Sequence, residues 1–360
     1  MNSMTGSEKG KVALSDARAF NKVMLRYNVN AVIPINSPEA LKDNCKVYPS
    51  ACCIYKVNVF GSSSFGDVTR YEKEVRSEIA SGRKALKLYD KNMAIRFDTE
   101  PFLTLEVDPP TGYFLPYDAS PLPSYSAAIG KFFRVDGEEN TVFSLLKHHQ
   151  SLVAAVSGHG KSRLLRNMLI GLVRNTTPAQ LALHIIDLKN DDLTMFKNLP
   201  HTKSFAWKPD EATALIETIR KEVDARIAVD GYEVKQRHLL VIDEGAELDK
   251  ACDDTLASIM KLGRSLGIHV VMATQHPTSA QIGQKVAQAF THKFVGRVTS
   301  ASSAAWATGC SGSGAELLKK QGSFLYIFGG DIDRFQTFNL TEEEEKMLLN
   351  EVTGKKVNKK

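Results

Sequence analysis

From about residue 132 the chain alternates short apolar runs with amphipathic helical stretches. The runs at 152–156, 181–187, 238–243, 268–273 and 293–298 read as strands, followed by two more at 323–328 and 335–340. Runs of this kind are buried on both faces, and their alternation with helices predicts a mainly parallel sheet covered by helices. The earlier segments differ. Residues 53–60, 93–97 and 102–107 alternate apolar and polar positions, as half-buried strands do, and 70–88 has helical spacing with mixed charge. They predict a small α/β domain that ends in the Pro- and Gly-containing stretch 108–124. Residues 1–30 are polar and weakly patterned, which supports only a mobile or helical lead-in. A short acidic helix over 342–350 and a basic tail follow the last strand. The expected organisation is therefore a lead-in over 1–30, a small α/β accessory domain over 31–128, a large α/β domain over 129–345 and a basic tail over 346–360.

Candidate chemistry begins where the first run of the large domain ends. Ala155, Val156, Ser157, Gly158, His159, Gly160, Lys161 and Ser162 lead from that strand into a helix expected over 161–174. This strand–turn–helix context is what a phosphate-binding P-loop requires. Gly158 and Gly160 let the backbone bend so that successive amides point at phosphate oxygens, and the helix N-terminus adds a partial positive charge. Lys161 is expected to reach the β- and γ-phosphates of ATP, Ser162 to ligate Mg²⁺, and Arg163 to complete the cofactor-binding segment. The P-loop pattern places glycine where Ala155 stands. Alanine is the smallest alternative and is read as a tolerated variant. The competing reading, a Gly-containing turn that happens to precede Lys-Ser, is weakened by a second motif.

That motif is the run at 238–243, which ends in Asp243 and is followed by Glu244. At the carboxyl edge of a parallel sheet Asp243 lies beside the P-loop, able to hold Mg²⁺ through water, and Glu244 stands where a base can polarise the attacking water. The run at 181–187 falls between the two motifs in the chain, which suits the P-loop subclass whose acidic strand is separated from the P-loop strand by another. The next run ends in Thr274 and Gln275. Their side chains either sense the γ-phosphate and relay its loss, or simply end a strand. The fold class expected is α/β, a RecA-like P-loop ATPase domain with a central, mainly parallel sheet preceded by the small α/β domain.

Composition refines this picture little. Of 360 residues, 43% are hydrophobic and 24% charged, as in a globular protein with a full core. Lys and Arg number 46 against 41 Asp and Glu, an excess that permits nucleic-acid binding without diagnosing it. Five cysteines (Cys45, Cys52, Cys53, Cys252 and Cys310) form no CxxC pair, which argues against a zinc ribbon or a disulfide framework. No stretch approaches the ~18 apolar residues of a membrane span. A soluble, cytoplasmic protein without membrane insertion is expected.

These residues together resemble the motor domain of the FtsK/SpoIIIE family of DNA translocases, within the FtsK–HerA group. The matching elements are 152–162, the strand end Ile186, Asp187, Leu188 and Lys189, the strand end Val241, Ile242, Asp243 and Glu244, and the run 263–277. That last run includes Gly263, Arg264, Gly267, Ile268, His269, Ala273, Thr274, Gln275, His276 and Pro277, and is far more specific than a P-loop. The resemblance covers roughly 132–340. It implies a ring-shaped homo-oligomer, a hexamer, that threads double-stranded DNA and hydrolyses ATP between subunits. Arg264 takes the place of the family's arginine finger. The segment from His276 through Lys285 matches the DNA-facing loop, with His276 in place of an arginine and with Lys285 and Arg297 as further DNA-contact candidates. Ala301 stands where many relatives carry a second basic residue. The family's membrane-spanning and winged-helix segments are not expected, so no septal location or sequence reading is; a compact motor of a virus or mobile element is a fitting setting. The alternative from another class is an ATPase driving type VII-like protein export, which shares the fold and the Gly-Arg-Ser-Leu-Gly-Ile-His run.

Overall fold

The computed structural model describes residues 6–47, 52–87, 95–98, 103–107, 115–133 and 137–354. The chain divides into two compact units, one built from 1–116 and 132–139, the other from 117–131 and 140–360. Residues 1–5 of the expected lead-in, Leu88, Met93, Ala94 and Phe102 of the expected elements, 108–114 of the expected boundary stretch and the tail beyond 354 lie outside the described residues.

In the first unit the segment expected as a polar lead-in is helix α1 (Gly6–Arg26), and it is packed. Ala13, Ala17, Phe20 and Met24 recur at three- and four-residue intervals and are all buried, an apolar stripe that its alanines make faint in the sequence. The remaining elements are β1 (Ala31–Val32), α2 (Pro38–Asn44), β2 (Cys45–Val47), β3 (Cys53–Lys56), β4 (Asn58–Val59), α3 (Phe65–Thr69), α4 (Glu72–Ala85), β5 (Ile95–Asp98) and β6 (Thr104–Val107). The alternating run read as one strand over 53–60 is two. β3 joins the antiparallel sheet β2-β3-β6-β5, whereas β4 pairs with β1 in a separate two-stranded sheet. Beneath the sheet, Arg83 and Asp16 form an ion pair at 2.6 Å with both side chains fully buried, and the Tyr55 hydroxyl donates to Asp16 at 2.9 Å. Among the described residues, which include all five cysteines, no disulfide forms.

The second unit is organised by a ten-stranded sheet. Its strands are β7 (Ser126–Phe133), β8 (Glu138–Ser144), β9 (Gln150–Ala154), β10 (Leu181–Asp187), β11 (Thr202–Ala206), β12 (Arg237–Asp243), β13 (Ile268–Thr274), β14 (His292–Val295), β15 (Ser323–Phe328) and β16 (Asp331–Thr337). The helices are α5 (Lys161–Arg174), α6 (Pro209–Ile227), α7 (Asp253–Gly263), α8 (Gln284–Ala289), α9 (Ala301–Thr308) and α10 (Glu342–Thr353). The spatial order is β11-β10-β12-β13-β9-β14-β15-β16-β7-β8. The first six of these run parallel, and β15 and β16 continue antiparallel. Every residue of β9, β10 and β13 is buried, as the unbroken apolar runs demand.

The order settles which strand separates the P-loop strand from the acidic one. It is β13, which follows both motifs in sequence, while β10, which lies between them in sequence, sits on the far side of β12. Because all four strands are parallel, the ends of β9, β10, β12 and β13 meet at one edge, and the two motifs meet there with them.

Candidate nucleotide site

The cradle forms because β9 stops at Ala154 and the next residues are held by flanking strands. The Ala155 amide donates to Thr274 O at 3.2 Å and the Val156 amide to Arg297 O at 2.8 Å. Gly158 (φ 78°) and Gly160 (φ 98°) then take left-handed conformations that turn the chain into α5. A Cβ on Gly160 would come within 3.2 Å of Gly322 Cα, and the Gly322 amide donates to His159 O at 3.0 Å, so the turn is braced from behind. The opening amides of a helix lack intrahelical partners, and here they face the cradle of a 14-residue helix.

Ala155, the departure from the P-loop pattern, is accommodated by Gly296. A Cβ at 296 would meet the Ala155 methyl at 2.9 Å and Phe324 Cε1 at 3.0 Å. The small residue the pattern wants at 155 has been moved to the facing strand end.

Lys161 is 4% exposed and its ammonium contacts Asp243 Oδ1. Burial pushes the Asp243 carboxyl above its ordinary range against the opposing pull of Lys161, and the negative fields of Asp192 and Asp187 add to the rise. The Ser162 hydroxyl donates to Asp192. Asp187, in register with Asp243 on the neighbouring strand, accepts from the Asp191 and Leu193 amides at 3.1 and 3.0 Å through one oxygen. Its other oxygen, like Asp243 Oδ2, is buried without a partner. Asp187 and Asp192 were not singled out from the sequence, although Asp187 belongs to the strand end that carries the family likeness.

Glu244 is 1% exposed, with a left-handed φ of 57° that swings its side chain toward β13. Oε1 accepts from the Gln275 amide at 3.0 Å and the Thr274 hydroxyl at 3.3 Å, and Oε2 from Lys189 at 3.0 Å. Burial alone would raise its pKa. The Gln275 amide and Lys189, with Lys161 nearby, outweigh that and hold the carboxyl below its ordinary value, so it is ionised at neutral pH. Thr274 and the Gln275 backbone thus bind the acid directly. Lys189 was visible in the sequence only as part of a family-like strand end.

Other candidates fall elsewhere. Arg163 is engaged by Glu345 at 2.6 Å and by Leu340 O, which ties α5 to α10 and leaves its backbone amide as its link to the cradle. Arg297 is exposed beside the turn, where it joins burial in lowering the His159 imidazole. His276 is exposed just past the carboxyl end of β13. Lys285 is on α8, paired with Asp254 at 2.7 Å, and lines a hollow with Arg264, Gln150 and Thr291 at the opposite, amino-terminal edge of the strands. The structure therefore does not bring His276 and Lys285 onto one face. Arg264 caps the C-terminus of α7 and is exposed at that same amino-terminal edge.

A parallel sheet with a glycine-turned phosphate cradle, a lysine and serine at the helix start and two acids on the next strand but one defines a RecA-like P-loop ATPase. The sequence profile of the FtsK/SpoIIIE family matches residues 123–235. The DNA translocase FtsK of Leptospira interrogans is 28% identical over 241 aligned positions, covering 56% of this chain and 24% of that protein. That of Borreliella burgdorferi is 26% identical over 254, covering 61% and 32%. The chain thus matches about a quarter to a third of the length of these curated relatives. The ATPase unit is thus similar to the FtsK/SpoIIIE family of DNA translocases. In fold the chain is similar to the pCW3 conjugation coupling protein TcpA, solved as a monomer with ATPγS (TM-score 0.59, 16% identity, covering 96% of this chain and 99% of that one). It is also similar to EssC ATPases 2 and 3 of Geobacillus thermodenitrificans (TM-score 0.57, 17% identity, covering 68% and 52%). Among the described residues no helix is long and apolar enough to cross a membrane.

Proposed function

We propose that this chain is an ATP-driven translocase of double-stranded DNA that works as a ring of identical subunits, six as the family resemblance implies, with ATP turned over between neighbours. The observation that carries this reading is the tie between the base and the strand that follows it. Glu244 is held by Thr274 and the Gln275 amide, and the next residue, His276, is exposed at the head of the segment that resembles the family's DNA-facing loop. A change in what Glu244 binds pulls on that segment directly.

The residues present fit Mg²⁺ and ATP. Asp243 Oδ2 is a buried carboxylate oxygen with no partner, close to the start of α5, where the Ser162 hydroxyl stands. Among the described residues no group of three His, Cys, Asp or Glu could hold a metal by itself. That donor set suits an ion which completes its shell with water and phosphate. When bound, Mg²⁺-ATP supplies the phosphoryl group and a divalent charge. Lys161 and Ser162 would then hold the phosphates and the metal in place of their carboxylate partners, Asp243 and Asp192. Glu244, already ionised, accepts a proton from the attacking water at Oε2, the oxygen that Lys189 now occupies. Arg264 is assigned to the γ-phosphate of the neighbouring subunit, where such a residue contributes ~10³ to 10⁵ in rate.

DNA-stimulated ATP hydrolysis tests the reading. Turnover should rise with linear duplex DNA, independently of sequence, and the stimulation should fall as salt increases. Equal turnover with and without duplex DNA sinks the translocase reading and favours export of protein, for which the fold likeness to the Thermomonospora curvata type VII secretion ATPase EccC (TM-score 0.52) is the supporting observation. Glu244→Gln should retain nucleotide and lose turnover.

A further inference from the structure

We infer that Arg237, Lys261 and Arg264 form one phosphate-binding hollow at the amino-terminal edge of the sheet, built to receive the polyphosphate of a nucleotide held in the P-loop of a second copy of this chain. The inference deepens the assignment of Arg264 and rests on it, adding two residues that neither the motifs nor the family likeness single out.

The hollow, of about 470 Å³, is lined by Leu146, His149, Arg237, Lys261, Arg264 and Ser265, with no acidic residue. It adjoins a second of about 680 Å³ that shares His149, Lys261 and Arg264 and carries the Lys285–Asp254 ion pair. Together they have the dimensions of a small-ligand site. Three cations converging with no lining carboxylate repel one another, and an anion relieves that repulsion.

Arg237 is also held in place. Its Nη1 contacts His269 Nε2 at 3.2 Å, and its guanidinium lies 5.4 Å from the Tyr125 ring. His269 is fully buried, and burial together with Arg237 lowers its pKa to about 3, so the neutral ring accepts the Arg237 hydrogen bond. The His149 ring stacks on it at 5.4 Å, and its own pKa is lowered by burial and by Arg264 and Arg237. His149 therefore reports the positive field of the hollow.

Placement identifies the source of the anion. β9, β12 and β13 begin at Gln150, Arg237 and Ile268, beside the hollow, and the P-loop follows the last residue of β9. Five strand residues at ~3.3 Å each put roughly 16 Å of sheet between the hollow and the chain's own cradle. A nucleotide bound in that cradle is out of reach, so the phosphate comes from another molecule. Duplex DNA presents a line of charges about 1.7 Å apart along its axis. The three cations here instead meet in a concavity, which suits a compact polyphosphate.

The test uses the full chain carrying Lys161→Ala, which disables its own cradle, with tripolyphosphate as the probe. Calorimetry should show binding, and the His149 imidazole, followed by NMR, should titrate at higher pH when the probe is present. Adding Arg237→Ala and Lys261→Ala should weaken binding at least tenfold while the far-UV circular dichroism spectrum stays unchanged, a sign that the fold is intact. Unchanged affinity without Arg237 and Lys261, or no binding to the Lys161→Ala chain, overturns the inference. For the second copy, a chain with Arg237→Ala and Lys261→Ala should have low turnover and regain several-fold when the Lys161→Ala chain is added, because the latter supplies intact hollows. No gain overturns the assignment to a neighbour's nucleotide. Arg264→Ala separates the two readings. Wild-type turnover in that variant removes the trans assignment itself, whereas lost turnover there with normal turnover in the Arg237→Ala, Lys261→Ala chain keeps that assignment and overturns this one.

Discussion

Replacing Gly296 by alanine probes how this chain carries a P-loop without the usual leading glycine. The new methyl would lie 2.9 Å from the Ala155 Cβ and 3.0 Å from Phe324 Cε1, both inside normal contact and both on packed elements. Overpacking of this kind costs about 1–3 kcal/mol. At ~2–4 °C per kcal/mol for a unit of this size, the melting temperature should fall by about 2–12 °C. Ala155→Gly alone removes a buried methyl and adds backbone freedom, a loss of about 1 kcal/mol. In the double variant the Ala155 clash is gone and only the Phe324 contact remains, so the double loss should fall short of the sum by about 1 kcal/mol. Denaturant unfolding of the four proteins measures that coupling. Nucleotide affinity should follow the same pattern, because Ala155 leads directly into the cradle. Strict additivity within ~0.5 kcal/mol would falsify the claim that Gly296 makes room for Ala155.

Three further outcomes are expected. Lys189→Met removes the partner of Glu244 Oε2; the pair is half-exposed on the lysine side and worth about 1 kcal/mol or less, so the acid limb of the turnover profile should move up by about half a pH unit, and an unmoved limb excludes Lys189 as a determinant of Glu244 ionisation. Because Glu244 is held below its ordinary pKa, its ionised form persists into acid, and the variant should lose activity earlier as pH falls. Asp16→Asn takes away the fully buried carboxylate facing Arg83 and should destabilise the first unit by about 3–5 kcal/mol, seen as an earlier unfolding transition, while nucleotide affinity stays unchanged. Gly160→Ala places a side chain at φ 98°, 3.2 Å from Gly322, and should abolish nucleotide binding with the rest of the sheet still folded; retained binding measured by fluorescent-nucleotide titration contradicts the geometry of the cradle.

Several elements were readable because their cause is local. Lys161–Arg174, Leu181–Asp187 and Ser323–Phe328 have the bounds their apolar patterns predict, since strands covered on both faces are continuous in hydrophobicity. Others depend on a neighbour. β11 (Thr202–Ala206) is an edge strand with exposed Lys203 and has no apolar run to announce it. β16 starts at Asp331, ahead of its first buried residue, because the hairpin turn at Gly329 and Gly330 sets the pairing of Phe328 with Asp331. β7 and β8 were hidden, β7 by the Pro-containing stretch that precedes it and β8 by its polar opening.

The same division holds for the site. Lys161, Ser162, Asp243 and Glu244 stand out from sequence as candidates because a cradle is a run of adjacent residues and an acidic strand end is a pattern of a few positions. Their partners were decided only in three dimensions. Asp192 on Ser162, Lys189 and the Gln275 amide on Glu244, and Arg237 beside Lys261 and Arg264 are brought together by strand order. Because β13 and β14 both run parallel to β9, the segment between them crosses from one edge of the sheet to the other, which separates His276 and Lys285, nine positions apart in the chain. Periodicity reports which residues are buried. Which strands become neighbours, and so which charges meet, follows from the packing of segments tens of residues apart.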